Sequence, residues 1–266
     1  MGSTFFGGIH RGFTPPSSGA LKILNFGEGL ENSGLDLKAE KSWNKEIGIR
    51  GDLSIIDYEI AGFHIDIENL VAAGRGTAFK NLGKVNSQGV ELRTDFLFSK
   101  INKLIPNFGL AYTYLSTEIV DGTIISNVQP VGQEVSINGN KLPYSPDHTM
   151  NVGMELNPIS SFFLRLDFKH VSKVYTDFQN LENEDDKVGY NLGISGPIPA
   201  YNILNLSSSY QITKAMKVFL SGKNILDTKY IGSRLHSNPG QKDANISSGI
   251  LPGPRRQINL GIEYNF

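Results

Sequence analysis

Ile258-Asn-Leu-Gly-Ile-Glu-Tyr-Asn-Phe266 alternates apolar and polar side chains without a break. Successive side chains of a strand point to opposite faces. Ile258, Leu260, Ile262, Tyr264 and Phe266 therefore share one face, and Asn259, Gly261, Glu263 and Asn265 share the other. One face is oily and the other is wet. Such a strand suits a half-buried soluble sheet, and it also suits a sheet with lipid on one side. The rest of the chain decides between them.

Working outward, the same period of two recurs near residues 5–12, 43–54, 58–71, 85–98, 108–117, 148–156, 162–174, 201–212 and 216–225, which predicts about ten strands. Ile47, Ile49 and Leu53 oppose Glu46, Arg50 and Asp52, while Phe63, Ile65 and Ile67 oppose His64, Asp66 and Glu68. Phe162, Leu164, Leu166 and Phe168 alternate with Phe163, Arg165, Asp167 and Lys169. No segment carries a helical period.

The connections separate the two readings. Those near 55–57, 99–107, 157–161 and 213–215 are short, and those near 13–42, 72–84, 118–147, 175–200 and 226–255 are long. Short and long alternate along the whole chain. A transmembrane antiparallel barrel sorts its links in this way, with tight periplasmic turns and long extracellular loops. A soluble sandwich has no reason to, and long structureless loops are uncommon in compact domains. Charges on a lipid-facing side cost about 2–4 kcal/mol each near the midplane, and almost none falls on the apolar parity. Aromatics gather near the expected strand ends, as interfacial girdles do: Phe96 and Phe98, Tyr112 and Tyr114, Tyr264 and Phe266.

Composition narrows the function. The chain has 266 residues and a formal net charge of -1, so no basic field recruits nucleic acid. It has no cysteine, which excludes disulfide frameworks, cysteine-type zinc sites and thiol catalysis. No apolar run approaches the ~18 residues of a transmembrane helix. The first residues, Met-Gly-Ser-Thr-Phe-Phe-Gly-Gly-Ile-His-Arg, lack the features of a signal peptide.

Several stretches resemble one family. Phe6-Gly-Gly-Ile-His-Arg-Gly-Phe-Thr-Pro-Pro16 resembles a strand and following loop of the TonB-dependent outer-membrane receptors, in their siderophore and ferric-citrate branch. Glu40-Lys-Ser-Trp-Asn-Lys-Glu-Ile-Gly-Ile-Arg50 and Asn81-Leu-Gly-Lys-Val-Asn-Ser-Gln-Gly-Val-Glu-Leu92 resemble two further strands of that family. Closest is the C-terminus, with Lys223-Asn-Ile-Leu-Asp-Thr-Lys-Tyr230, Gly253-Pro-Arg255 and the strand ending at Phe266. The resemblance implies an all-β chain, about ten strands of a larger plugged barrel of about 22. Residues 1–266 would be its C-terminal part, with the signal peptide, plug domain and earlier strands upstream. It further implies uptake of iron chelates, partnership with the TonB complex through that plug, contact with outer-membrane lipid and lipopolysaccharide, and insertion by the barrel-assembly machinery. A chain without plug and coupling parts is not expected to transport alone.

The resemblance makes Leu260, Ile262, Tyr264 and Phe266 the expected barrel-assembly signal. Anionic chelates favour the planar donor fork of arginine, so Arg11, Arg234 and His236, with Arg255 and Arg256, are expected near loop entrances. The bland reading of each is an ordinary loop or lumen charge. Five scattered histidines have no metal spacing, and Glu182, Glu184, Asp185 and Asp186 read as a solvated run. Arg50-Gly-Asp52 spells an adhesion tripeptide at a strand end, and Gly74-Arg-Gly76 is loop punctuation with no helix after it. No arrangement suggests catalysis, and no cofactor is expected. The alternatives are a self-contained ten-strand barrel acting as a surface protease or adhesin, and a soluble two-sheet domain.

Overall fold

The computed structural model describes residues 2–16, 37–73, 79–126, 132–182, 196–234 and 249–266. In chain order the strands are β1 (Gly2–Thr14), β2 (Glu40–Leu53), β3 (Ile56–Glu68), β4 (Val71–Ala73), β5 (Phe79–Asn81), β6 (Lys84–Phe96), β7 (Asn107–Asp121) and β8 (Thr123–Ile125). They continue as β9 (Glu134–Ser136), β10 (His148–Leu156), β11 (Phe162–Val171), β12 (Tyr201–Gln211), β13 (Met216–Lys223), β14 (Ile231–Arg234), β15 (Ile250–Pro252) and β16 (Gln257–Tyr264). The ten long ones form a single antiparallel sheet in the order β1-β2-β3-β6-β7-β10-β11-β12-β13-β16. These are the ten strands that the period of two predicts. Each pairs with the next long strand in the chain, so the sheet is a plain meander. Among the described residues the outer edges of β1 and β16 carry no partner strand.

Local chemistry closes the short links at what is here called the turn end. Ser54 takes the left-handed φ of 60° between β2 and β3, and Ile55 N donates to Leu53 O at 2.7 Å. The β6–β7 link winds into a single 3₁₀ turn (Phe98–Lys100), where Asn107 Oδ1 accepts from Ser99 N at 2.9 Å. Between β12 and β13, Thr213 Oγ1 accepts from Met216 N at 3.0 Å.

Residues directly opposite each other on paired strands share a face. The register therefore sorts the side chains into two surfaces. One row runs Phe96–Phe108–Met154–Leu166–Leu206 across five strands, and another runs Leu156–Leu164–Ser208–Leu220–Leu260. On the opposite face the rows read Asp95–Gly109–Gly153–Asp167–Asn205 and Glu155–Arg165–Ser207–Ser221–Asn259. The apolar face is open: Ile47 is 72% and Leu260 78% exposed, and no second large sheet covers it among the described residues. On β11 the run Phe162 to Phe168 extends the apolar band about 20 Å at roughly 3.3 Å per residue.

β3 departs from the expected parity. Phe63, Ile65 and Ile67 stand on the polar face, opposite Glu46, Asn44 and Ser42 of β2, whereas Tyr58 and Ile60 stand on the apolar one. The register is unbroken through Ala61 and Gly62, so no bulge causes this; the sequence itself exchanges its parity there. Ile67 then joins a core at the loop end. Alternation reveals which residues share a face but not which face it is.

That core is where burial concentrates. Ala72, Leu82, Val85, Ile119, Ile124 and Ile137 are buried together, with Leu70, Val135, Leu142 and Phe178 packed against them. They come from the ends of β3, β6 and β7 and from the long connections. Three of those connections carry two-stranded ribbons, β4–β5, β8–β9 and β14–β15, where the sequence suggests structureless loops. Ribbon strands of three or four residues are too short to show a period.

The Lys223–Tyr230 and Gly253–Arg255 stretches meet as a clamp. Asn224 takes φ 47°, its Nδ2 donates to the carbonyls of Thr228 and Pro254 at 2.9 Å, and its Oδ1 accepts from Thr228 N at 2.9 Å. Asp227, at φ 54°, receives a two-pronged bond from Arg255 (Nε 2.8 Å, Nη2 2.5 Å) and a third from Arg256 N at 3.0 Å. Tyr230 lies across Gly253, where an added Cβ would fall 2.1 Å from the ring, and stacks on Tyr201 at 4.5 Å. The clamp fixes the chain's entry into β16.

The Arg255 guanidinium beside Asp227 holds its carboxyl well below the usual carboxylate range, helped by the Arg256 amide. A carboxyl depressed in the folded state stabilises it above the unfolded value of about 3.9 and stops doing so as pH falls through the lower folded value. The amides of Gly253 and Arg256 are therefore expected to keep their hydrogen-exchange protection down to about pH 4 and to lose it only below that. In Asp227→Asn they are expected to exchange faster at neutral pH, with little further change on acidification. Equal protection in the variant and the parent at neutral pH would show that the clamp does not hold β16.

Candidate functional site

At the loop end, three connections are tied into one body. Residues 137–147 follow the end of β7: Ile119 N donates to Asn140 O at 2.8 Å and Leu142 N to Thr117 Oγ1 at 3.1 Å. The next connection grips this segment. Lys141 N donates to Asn180 Oδ1 at 2.7 Å, Asn180 Nδ2 returns a bond to Lys141 O at 3.0 Å, and Asn140 Nδ2 reaches Phe178 O at 2.9 Å. Within that connection Val174 pairs with Ile198, and Thr176 Oγ1 donates to Gly196 O at 2.9 Å. Lys141 also binds Asp147 at 2.6 Å.

Arg234 brings in the third connection. At 2% exposure it is the largest of the fully buried side chains among the described residues. Its Nη2 donates to Pro197 O at 3.0 Å, its backbone N donates to the Tyr144 hydroxyl at 3.2 Å, and that hydroxyl donates to Arg234 O at 3.1 Å. Tyr144 N in turn donates to Tyr175 O at 2.8 Å. A buried guanidinium bound to a carbonyl is a brace, since truncating it strands that acceptor. Sequence reasoning missed Tyr144 and Asn180. Both take left-handed φ values, 58° and 52°, which nothing in their neighbours announces.

The other expected ligand contacts lie elsewhere. Arg11 sits within β1 rather than in a loop, its guanidinium 5.6 Å above the ring of Trp43, the residue it faces across the register. Arg255 is held by Asp227, and His236 lies outside the described residues, as do Glu184, Asp185, Asp186 and the Gly74–Gly76 stretch. Glu182 is bound by Tyr175 and by Lys173 at 2.9 Å, which lowers its carboxyl and raises the Lys173 ammonium. Among the described residues no group of three or more His, Asp and Glu is placed to hold a metal ion.

The terminal residues form a second candidate site. Leu260, Ile262 and Tyr264 project from the apolar face of β16 in line with Leu220, Val218 and Met216 of β13. Asn265 N still donates to Ala215 O at 2.8 Å, so the ladder continues past Tyr264. Phe266 follows, its ring edge-on to Tyr264 at 5.2 Å. The four residues present one exposed apolar strip beside an edge that carries no partner strand among the described residues.

Comparison with known proteins places this arrangement. A family model described as TonB dependent receptor-like, beta-barrel, matches residues 2–225. The siderophore receptor PiuA from Acinetobacter baumannii superposes with a TM-score of 0.71 at 17% identity, over 98% of this chain and 34% of that one. The ferric-catecholate import receptor Fiu from K12 E. coli gives 0.70 at 18% identity, over 99% and 33%. The ferric citrate transporter FecA, in its unliganded form, gives 0.64 at 22%, over 85% and 31%. The chain thus spans about a third of the length of the solved receptors it matches. A curated relative from Aromatoleum aromaticum described as an NAD kinase is 26% identical over 192 residues, 68% of this chain and 61% of that one. At 26% identity that likeness does not outweigh the family model, which covers most of the chain. Strand order, short and long links, and the family match over most of the length agree, and the chain belongs to the TonB-dependent receptor-like β-barrel family.

Proposed function

We propose that the chain is the C-terminal part of an outer-membrane receptor barrel for the uptake of iron chelates. The observation that carries this reading is the single ten-strand sheet, with a continuous apolar band on one face and a mostly polar surface on the other. In the bilayer only closed strand systems or helices satisfy every backbone group. The apolar face meets lipid, the polar face lines the lumen, and the long connections stand outside the cell. Further strands complete the barrel between β16 and β1, and a plug fills it and carries the link to the TonB complex. Two edges without partners among the described residues favour this over a self-contained ten-strand protease or adhesin, which would pair β1 with β16.

The cargo assignment leans on what is printed of the solved relatives: a siderophore receptor, a ferric-catecholate import receptor and a ferric citrate transporter. The cross-tied connections catch the chelate from outside, with His236 among its contacts and Arg234 bracing the loops that hold it. The strip from Leu260 to Phe266 is what the assembly machinery reads.

Three outcomes test this. Leu220 and Ser221 are neighbours on opposite faces, so Leu220→Arg should destabilise the protein folded in lipid by about 2–4 kcal/mol and Ser221→Arg by about 1 or less. Urea titration in vesicles reads the difference, and equal costs would sink the assignment of faces. Deleting Phe266 should lower the yield in the outer membrane, measured by heat-modifiable gel mobility; recovery of the parent chain in the detergent-free soluble fraction would overturn the reading altogether. Arg234→Met, which removes the donor to Pro197 O at about 1–3 kcal/mol, should weaken binding of ferric chelates to the complete receptor without lowering its insertion.

A further inference from the structure

The alternation of faces leaves one ambiguity in this sheet. A slip of one residue exchanges the two faces, but a slip of two sets apolar on apolar and polar on polar again. A short turn removes the ambiguity, because its type and length fix the register of the strands it joins. The pairs β1–β2, β3–β6 and β13–β16 are joined by long connections and lack that constraint. β1 also carries Gly2, Gly7, Gly8 and Gly12, and glycine-rich strands hold their register weakly.

In each of these three pairs a phenylalanine on the polar face lies directly opposite a glycine. Phe6 faces Gly48, Phe63 faces Gly89 and Phe219 faces Gly261. Each ring occupies the space of the missing side chain. A Cβ added at any of the three glycines would run into the ring, and at Gly261 three atoms of the Phe219 ring lie within 2.7 Å of its place. The Arg50 guanidinium covers Phe6 at 5.6 Å from the ring centre. On the polar face β2, β6 and β16 have one glycine each, and β1, β3 and β13 one phenylalanine each. After a slip of two, Phe6 would meet Glu46 or Arg50, Phe63 would meet Ser87 or Glu91, and Phe219 would meet Asn259 or Glu263.

Where a short turn joins the strands, no phenylalanine faces a glycine. The two remaining long-linked pairs are aligned by their connections instead. Ile119 N donates to Asn140 O at 2.8 Å above β7, and Val174 pairs with Ile198 above β11 and β12. We infer that the three phenylalanine–glycine pairs are register keys, each admitting one of the alignments that the face pattern leaves open. Two of them hold β1 and β16, whose alignment sets the stagger at which any further strand can pair.

Cysteine pairs read the register, since the chain has no cysteine of its own. In the complete protein, Asn44→Cys is combined in turn with Gly8→Cys, His10→Cys or Gly12→Cys. Only His10 faces Asn44 in the observed alignment. The other two are diagonal neighbours at about 7–8 Å, beyond the reach of a disulfide. Cells are oxidised, and mass spectrometry counts the cross-linked peptides. Phe6→Ala is expected to raise the slipped products at Gly8 or Gly12 over the His10 product at least roughly fivefold, the full worth of one cross-strand pair. Phe5→Ala removes the neighbouring ring from the other face, opposite Ile49, and should leave the ratio unchanged, as should Phe6→Tyr. An unchanged ratio in Phe6→Ala, or equal slippage in Phe5→Ala, would overturn the inference while leaving the receptor reading intact. Should Phe6→Ala not accumulate, Phe6→Leu, apolar but not flat, is expected to slip to a smaller extent, and a ratio equal to the parent's would count against the keys.

Discussion

Antiparallel registration from β1 to β16, shifted only at Lys84/Val85 in the ten-strand sheet, is the constraint on which everything else depends. A strand presents two faces, but which of them joins its neighbour's is set only by pairing, and a slip of one residue exchanges them. Through ten strands no such slip divides the apolar surface from the polar one. The shift at Lys84/Val85 falls at the loop end, above the apolar band. Continuous pairing also satisfies the backbone without help from water, which a surface turned toward lipid requires.

A sheet of this kind builds no core between layers. Its buried apolar cluster lies instead at one end, where Val85 and Ile119 rise from the sheet to meet Ile124, Ile137 and Leu142 of the connections. The two ends are therefore unlike. The turn end is closed by single residues such as Ser54 and Thr213. The loop end is a small folded assembly with its own hydrophobic packing and its own buried arginine. Family membership rests on the match over residues 2–225, with which the strand plan agrees.

Much of the sheet was legible in the sequence because alternation is a local signal. Phe162 to Lys169 announces both a strand and its two faces. β3 shows the limit: its apolar residues exchange parity at Ala61 and Gly62, and only pairing with Glu46 and Gly89 tells which side Phe63 occupies. The loop assembly was illegible for a different reason. Its members come from stretches far apart in the chain, such as Tyr144 and Arg234, ninety residues apart, joined through a hydroxyl and a backbone carbonyl. Arg234 was singled out for its charge, whereas burial gives it a bracing place. The Asn-Ile-Leu-Asp-Thr-Lys-Tyr stretch was visible as a motif, but its reason, two left-handed turns closed by Arg255, needed the fold.

The mutual bracing of the connections has a consequence for how such proteins diversify. Loops that each stood alone could be exchanged between receptors one at a time. Here Asn180 reads the backbone of Lys141, and Arg234 reads that of Pro197, so a replacement for any one connection must match the main chain of the others. Recombination, in nature or by design, would have to transplant the segments around 137–147, 172–182 and 231–234 together as a cassette, keeping the strands beneath as a common pedestal.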